Sequence, residues 1–160
     1  MEPSPRQRFE LFVAAASTAP QSDLARVEAN RALVRRYFEM WNTGDGSVAD
    51  ALLGATYLDH AHPDVLGPAA ARSLVPRFHA ANPDAHMRVD VEAADADFVA
   101  VRNTITRTLE GERVESKGIA LFRIVADKLA EQWSWYPDAE AERSRLPAPS
   151  SLEAWLSFRA

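Results

Sequence analysis

The sequence predicts an α+β domain in which helices cover one face of a curved antiparallel sheet. The first half of the chain carries apolar residues at helical spacing, whereas from residue 87 onward apolar and polar residues alternate with a period of two. Three helices followed by a meander of about four strands are typical of the α+β class. A curled sheet capped by helices encloses a concave space, so we expect a deep apolar pocket between the two layers.

The bulk properties of the chain exclude several classes of function. With 160 residues, of which 47% are hydrophobic and 26% charged, the chain fits one domain with a core of its own. Its formal net charge of −5 and its scattered arginines argue against nucleic acid and anionic membrane surfaces as partners. The absence of cysteine excludes disulfides and thiolate chemistry. No apolar run approaches the ~20 residues of a membrane span, and we expect a cytoplasmic protein.

Residues 1–21 are predicted to be an N-terminal extension. Two early arginines followed by alanine-rich residues suggest an export signal, but the apolar centre is shorter than the ~7–15 residues of such a signal, and Glu10 lies beside it. We therefore expect a short helix from Pro5 to Ala16 instead.

The main domain, residues 22–146, begins with a long amphipathic helix. Its apolar residues recur at helical spacing from Leu24 to Trp41. The stretch Asn42–Gly46, which contains two glycines, ends the helix.

Two further helices are predicted before the sheet. Ser47 and Asp50 form a capping box for a short helix, and Gly54 is its expected stop. The third helix spans Gly67 to Ala81, with a proline in its first turn, and Pro76 is expected to kink or end it.

The second half of the chain predicts four strands and a helical tail. The turn between the second and third strands is the Leu-Glu-Gly-Glu stretch, and the tail, residues 147–160, has a capping box at Ser150 and Glu153. The predicted strands span 87–94, 98–108, 114–125 and 129–136.

Four segments of the chain carry a family resemblance when they are read in order. They are Asn30–Asp45, Tyr57–His60, Gly67–Asp84 and Gly118–Trp133. Together, over roughly residues 30–138, they resemble the SnoaL-like polyketide cyclases and ester-cyclase-like proteins of the nuclear transport factor 2-like superfamily. The resemblance implies a cone-shaped sheet wrapped around a long helix, a deep apolar pocket, and a homodimer formed through the outer sheet face. It also implies closure of a polyketide ring by intramolecular aldol condensation without metal or organic cofactor.

The same resemblance places two functional positions of the family on residues with different chemistry. The aspartate that acts as acid and base in aldol-type members falls on Ser134, and a histidine that some cyclases carry falls on Ala120. Neither side chain can transfer protons as a carboxylate and an imidazole do. The sequence therefore does not support the usual cyclase mechanism.

An eight-residue segment, Tyr57–Asp64, concentrates polar groups in an otherwise apolar chain. Its possible metal ligands are Asp59, His60, His62 and Asp64. Further ligands would have to be His79 or His86, and we predict no metal site. The remaining alternatives are a polar loop with the histidines in water and an acid–base centre in which a carboxylate fixes a histidine tautomer. Extended backbone would send Tyr57 and Asp59 to one side and His60 to the other, and we expect Tyr57 and Asp59 to face the cavity.

Arg102 completes the predicted catalytic set of Asp59, His60 and Arg102. If its strand face lines the cone, Arg102 needs a carboxylate partner, Asp59 or Glu131, or it stabilises a developing negative charge. The predicted ligand-binding residues are Trp41, Tyr57, His62, Phe78, Phe122, Gln132, Ser134 and Trp135.

The sequence leaves three functional hypotheses. The first is a small cofactor-free enzyme of polyketide or related natural-product metabolism, which cyclises or isomerises a hydrophobic, carbonyl-bearing substrate by acid–base chemistry. The second is a non-catalytic binding or accessory protein that keeps the pocket. The third is an epoxide hydrolase that uses Asp59, Glu131 and Arg102.

Overall fold

The helices between residues 24 and 81 lie on one side of a five-stranded sheet, which confirms the predicted α+β fold. The computed structural model describes residues 6–10, 24–64 and 66–136. The helices are α1 (Leu24–Thr43), α2 (Ala49–Leu52), which follows a 3-10 turn at Gly46–Val48, and α3 (Gly67–Ala81). The strands are β1 (Leu53–Asp59), β2 (His86–Ala94), β3 (Phe98–Leu109), β4 (Glu112–Val125) and β5 (Lys128–Trp135). Among the described helices, none is long and apolar enough to cross a bilayer.

The sheet has the strand order β1-β5-β4-β3-β2. Strands β2 to β5 form the predicted antiparallel meander, and the turn between β3 and β4 has positive φ at Glu110 (51°) and Gly111 (84°), as a tight hairpin requires. The register places Asn103 opposite Gly118, and Ala120 opposite Ser134.

The fifth strand, β1, was not predicted. Gly54, the expected stop of a helix, lies instead in β1, which pairs in parallel with β5 and places Asp59 opposite Gln132. A parallel pair between segments so far apart in the chain leaves no local pattern, which explains the error.

The helices follow the predicted bounds with two differences. Helix α3 continues through Pro76 to Ala81. The capping box at Ser47 and Asp50 is wrong, because the cap is the Asp45 carboxylate, which accepts a hydrogen bond from the Ser47 amide at 3.0 Å. Asp45 directly precedes the 3-10 turn, so its carboxylate can accept from the Ser47 N–H, which has no backbone partner at the start of the turn.

Two asparagines fix helix α1 across the concave face of the sheet. The buried Asn30 donates to the carbonyls of Asp95 and Ala96, both at 3.0 Å, in the turn between β2 and β3. Near the C-terminal end of α1, Asn42 forms two hydrogen bonds with the backbone of Met87: its Nδ2 donates to the carbonyl at 2.9 Å, and its Oδ1 accepts from the amide at 2.7 Å. The apolar stripe of α1 between these anchors packs on the inner side chains of β3 and β4 and forms the main core.

The outer face of the sheet carries a second, smaller apolar cluster. Ala100 and Leu121 are buried there, and Phe9 of the helical residues 6–10 packs against them. The Arg8 guanidinium lies 5.8 Å from the ring centroid of Trp133, within reach of a cation–π interaction. The rest of the predicted Pro5–Ala16 helix and the tail 147–160 lie outside the described residues, and dimerisation through this face stays a prediction.

Candidate functional site

A largely apolar cavity lies between helices α1 and α3 and the concave face of the sheet. The empty volume between its side chains is about 750 Å³, including the part open to solvent at its mouth. The lining side chains are Tyr37, Phe38, Trp41, Leu53, Tyr57, Asp59, His62, Ala71, Leu74, Met87, Ile105, Gln132, Ser134 and Tyr136.

An aspartate–histidine pair forms the most polar part of the cavity wall. Asp59 ends β1, and its Oδ1 accepts a hydrogen bond from the Ala61 amide at 2.9 Å. Its Oδ2 lies 3.0 Å from His62 Nδ1, and the His62 amide donates to the Asp59 carbonyl at 3.0 Å. Because an ionised carboxylate only accepts, this contact places the proton of a neutral His62 on Nδ1 and the lone pair on Nε2. That arrangement suits a general base.

A chain of hydrogen bonds crosses the floor of the cavity. The Tyr57 hydroxyl donates to Gln132 Oε1 at 2.7 Å, and the Tyr37 and Tyr57 oxygens are 3.3 Å apart. Since the Tyr57 proton is directed to Gln132, Tyr37 is the donor of the second bond. Burial raises the pKa of both tyrosines well above the usual value, and the nearby Asp59 charge adds to the effect. Both phenols therefore stay neutral donors at neutral pH.

A third tyrosine, Tyr136, lines the cavity just beyond the end of β5. Its oxygen accepts a hydrogen bond from Asn103 Nδ2 at 2.8 Å. Burial raises the pKa of Tyr136 to about 12, the Asn103 bond partly opposes this shift, and the Asp59 charge adds to it. This phenol is therefore neutral as well.

Six of the sequence-predicted residues lie in the cavity wall: Trp41, Tyr57, Asp59, His62, Gln132 and Ser134. Three other predicted ligand-binding residues are not part of this wall. Phe122 is fully buried in the core, with its ring centroid 5.3 Å from that of Tyr37, and Phe78 packs edge-on against Trp41 at 5.3 Å. Trp135 lies between Ser134 and Tyr136, which face the cavity, and because successive side chains of a strand point to opposite faces it points to the outer face.

The structure places His60 outside the cavity. Because side chains alternate along β1, His60 follows Asp59 to the other face, where its ring stacks on Trp133 at 4.5 Å. Its Nε2 lies 2.8 Å from Glu131 Oε2, and Arg123 also donates to Glu131. The hydrogen bond from His60 and the Arg123 charge hold the pKa of Glu131 below its usual value.

Arg102 also lies outside the cavity, contrary to the expected geometry. Its side chain is exposed on the outer face of β3, near Asp90, because the inner positions of this strand are Val101, Asn103 and Ile105. Neither of its expected partners is next to it, since Asp59 faces the cavity and Glu131 binds His60. The assumption about which strand face lines the cone was wrong.

The segment Tyr57–Asp64 does not gather its side chains around one point. His60 and His62 lie on opposite sides of β1 and the turn that follows it. Among residues 6–10, 24–64 and 66–136, no three His, Asp or Glu side chains form a group that could hold a metal ion. The geometry of this segment favours an acid–base pair.

Two cavity residues, Tyr37 and Tyr136, are absent from the predicted ligand-binding set. Tyr136 has the same strand parity as Gln132 and Ser134, and Tyr37 lies one helical turn before Trp41. The sequence contains both spacings, but only the packing of the helix on the sheet shows which face of each element lines the cavity.

Comparisons with known proteins agree with this architecture. The family model described as SnoaL-like polyketide cyclase matches residues 31–144. No curated protein matches the sequence significantly. Among solved structures, a SnoaL-like polyketide cyclase from Agrobacterium tumefaciens is 16% identical, with 71% of this chain and 95% of that chain covered and a TM-score of 0.58.

Two other structures show the same fold. TsrD from Streptomyces laurentii is 20% identical, with 76% of this chain and 97% of that chain covered and a TM-score of 0.62. A protein with a ketosteroid isomerase-like fold from Catenulispora acidiphila is 17% identical, with 81% and 96% covered and a TM-score of 0.58.

Proposed function

The chain belongs to the SnoaL-like polyketide cyclase family, and we propose that it is a cofactor-free acid–base catalyst that cyclises or isomerises an apolar, carbonyl-bearing substrate. The substrate class is a polyketide or a related natural product. The observation that carries the proposal is the Asp59–His62 pair, held at 3.0 Å in the wall of an apolar cavity. A histidine whose tautomer is fixed by a carboxylate can act as a general base through its other ring nitrogen.

The proposed reaction begins with removal of a proton from the carbon next to a substrate carbonyl. His62 Nε2 takes the proton, and the electron pair of the C–H bond moves into the carbonyl group to form an enolate. In a cyclisation, the enolate carbon attacks a second carbonyl of the same molecule, and the resulting alkoxide takes the proton back from His62. In an isomerisation, the proton returns to a different carbon. Asp59 stabilises the imidazolium in both cases.

The pair offers a replacement for the family positions that have lost their chemistry here. Ala120 and Ser134 are directly opposite each other on β4 and β5. Asp59 is opposite Gln132, which lies two residues before Ser134 on β5. The base proposed here would therefore act from the neighbouring strand.

A second candidate function is binding without catalysis. The substitutions at Ala120 and Ser134 favour it, since the pocket is retained while the usual acid and base are absent. The epoxide hydrolase hypothesis has no such support, because it requires Asp59, Glu131 and Arg102 to converge, and their side chains lie on different faces of the sheet.

Proton abstraction can be tested without the natural substrate. In D2O, the chain is expected to accelerate exchange of the protons next to the carbonyl of 2-tetralone, an apolar bicyclic ketone, measured by proton NMR. Replacing the base (His62→Gln) or its orienting carboxylate (Asp59→Asn) should each slow the exchange by ~10²-fold or more. His60→Gln, which alters the histidine on the other face, is the matched control and should retain the exchange rate.

The result also separates the two candidates. Exchange that persists in both cavity variants excludes His62 as the base. If 2-tetralone binds to the unaltered chain, as seen by line broadening, and no exchange occurs, the binding function is favoured over catalysis.

A further inference from the structure

We propose that Tyr136 is a further catalytic residue, whose hydroxyl donates a hydrogen bond to the oxygen of the substrate on which negative charge develops. The inference deepens the function proposed above and rests on it, because an enolate oxygen needs a donor once His62 has removed the proton. Donors fixed in advance around a developing oxyanion are often the largest single contribution to catalysis.

The hydrogen bonds of the three cavity tyrosines single out Tyr136. The Tyr57 proton is directed to Gln132 and the Tyr37 proton to Tyr57. Tyr136, by contrast, accepts from Asn103 Nδ2. A hydroxyl that accepts still has its own proton to donate, and within residues 6–10, 24–64 and 66–136 the Tyr136 hydroxyl takes part in the Asn103 bond as acceptor and donates no hydrogen bond. Tyr136 therefore keeps its proton for a ligand.

The orientation of the Asn103 side-chain amide decides whether Tyr136 accepts or donates the hydrogen bond between them. Asn103 is fully buried, and its Oδ1 makes no hydrogen bond within the described part of the chain. The reverse orientation would let Tyr136 donate to Oδ1, but it would leave an amide group with two buried N–H donors unpaired. A buried unpaired N–H is rarer in proteins than an under-used carbonyl oxygen, so the orientation that leaves Oδ1 without a partner is the more stable one.

Gly118 holds the Tyr136 ring in place from the neighbouring strand. A Cβ atom at Gly118 would lie 2.2 Å from Cδ1 and 2.4 Å from Cε1 of the ring, closer than such atoms approach in proteins. Gly118 is the cross-strand partner of Asn103. The Tyr136 ring therefore packs on the backbone at Gly118, and its hydroxyl accepts a hydrogen bond from the Asn103 amide. Gly118 and Asn103 are both positioning residues for Tyr136.

The location of Tyr136 suits this role. It lines the same cavity as Asp59 and His62, and the Asp59 charge contributes to keeping its phenol protonated. A neutral phenol is a donor across the pH range in which a histidine base operates.

The test uses 4-nitrophenol, whose phenolate oxygen imitates that of an enolate and whose phenolate absorbs visible light. Absorbance titrations over pH give the affinity of the protein for the phenolate relative to the phenol. The unaltered chain is expected to prefer the phenolate. Tyr136→Phe should reduce the preference by about 10-fold or more, the effect of losing one hydrogen bond to a charged oxygen.

Two variants control the measurement. Gly118→Ala keeps the hydroxyl but displaces the ring, and it should reduce the phenolate preference to a similar degree. His60→Gln alters a side chain on the opposite face of the sheet, where it is bonded to Glu131, and it should retain the preference. Far-UV circular dichroism and a thermal melt of each variant establish that the fold is intact.

The outcomes separate this proposal from the proposed function. An unaltered chain that shows no preference for the phenolate, including one that binds neither form, overturns the assignment of Tyr136. So does a Tyr136→Phe variant that keeps the preference. An unaltered chain that prefers the phenolate but does not accelerate the exchange of 2-tetralone counts against the base alone.

Discussion

Asp59 Oδ2 and His62 Nδ1 lie 3.0 Å apart in the wall of the cavity. The two residues are three apart in the chain, and the turn after β1 brings them together through the bond between the His62 amide and the Asp59 carbonyl. His60 between them lies on the other side of the strand, bonded to Glu131. A single turn thus places His60 and His62 in different environments, with His62 in the cavity wall and His60 on the outer face.

The tautomer of His62 follows directly from this contact. We expect neutral His62 to carry its proton on Nδ1, and the Asp59→Ala variant to populate the Nε2–H form because the acceptor is gone. Long-range nitrogen–proton NMR spectra distinguish the two tautomers, and the His60→Gln background removes the overlapping ring. A His62 that is protonated on Nε2 in the unaltered chain would contradict the assignment.

The pair of His60 and Glu131 on the outer face is expected to make the free energy of unfolding depend on pH in the acidic range. The pKa of Glu131 is held below the ordinary 4.5 of a glutamate, chiefly by the hydrogen bond from His60. A lowered folded-state pKa means that the stabilisation is present above the unfolded-state pKa and is lost as the pH falls through the folded-state pKa.

The Glu131→Gln variant should therefore be less stable than the unaltered chain at pH 7, by about 1–2 kcal/mol. The difference should shrink as the pH falls below about 4.5, where the unaltered chain loses the interaction. Urea denaturation at several pH values measures both. A difference that is constant from pH 7 to pH 3 would show that the charge of Glu131 is not involved.

The position of helix α1 depends on Asn30. Asn30→Ala removes two hydrogen bonds and leaves the carbonyls of Asp95 and Ala96 without this donor, so we expect a loss of about 1–3 kcal/mol in the free energy of unfolding. Glu39→Ala, at an exposed position of the same helix, is the control and should change stability by no more than ~0.5 kcal/mol. Equal effects in the two variants would rule out the anchoring role.

The N-terminal segment contributes to stability through Phe9. Phe9→Ala uncovers part of the outer cluster around Ala100 and Leu121, and we expect a loss of about 1 kcal/mol in urea denaturation. Glu10→Ala breaks only the exposed pair with Arg6, at 3.1 Å, and should cost less than ~0.5 kcal/mol. If Phe9→Ala is as stable as Glu10→Ala, residues 6–10 do not hold the outer face in solution.

Most of the fold was predictable because its elements depend on local pattern. The stripe of α1 and the alternation in β2 to β5 follow the 3.6-residue period of a helix and the two-residue period of a strand. The proline in the first turn of α3 marks the start of that helix. The sequence also indicated that Tyr57 and Asp59 share a face and that His60 takes the other. Arg102 was assigned to the wrong side because alternation defines two faces and does not say which one meets the helices.

What the sequence by itself determined is therefore the class of the fold, the order of the helices and of strands β2 to β5, and the chemistry of the side chains available to the site. The tertiary structure alone decided that β1 joins β5, which brings Tyr57 against Gln132 across 75 residues of chain. It also decided that Tyr136 rests on Gly118 and meets Asn103. Such contacts depend on register and on the curvature of the sheet, and these are set by the packing of the whole domain rather than by the pattern of any one segment.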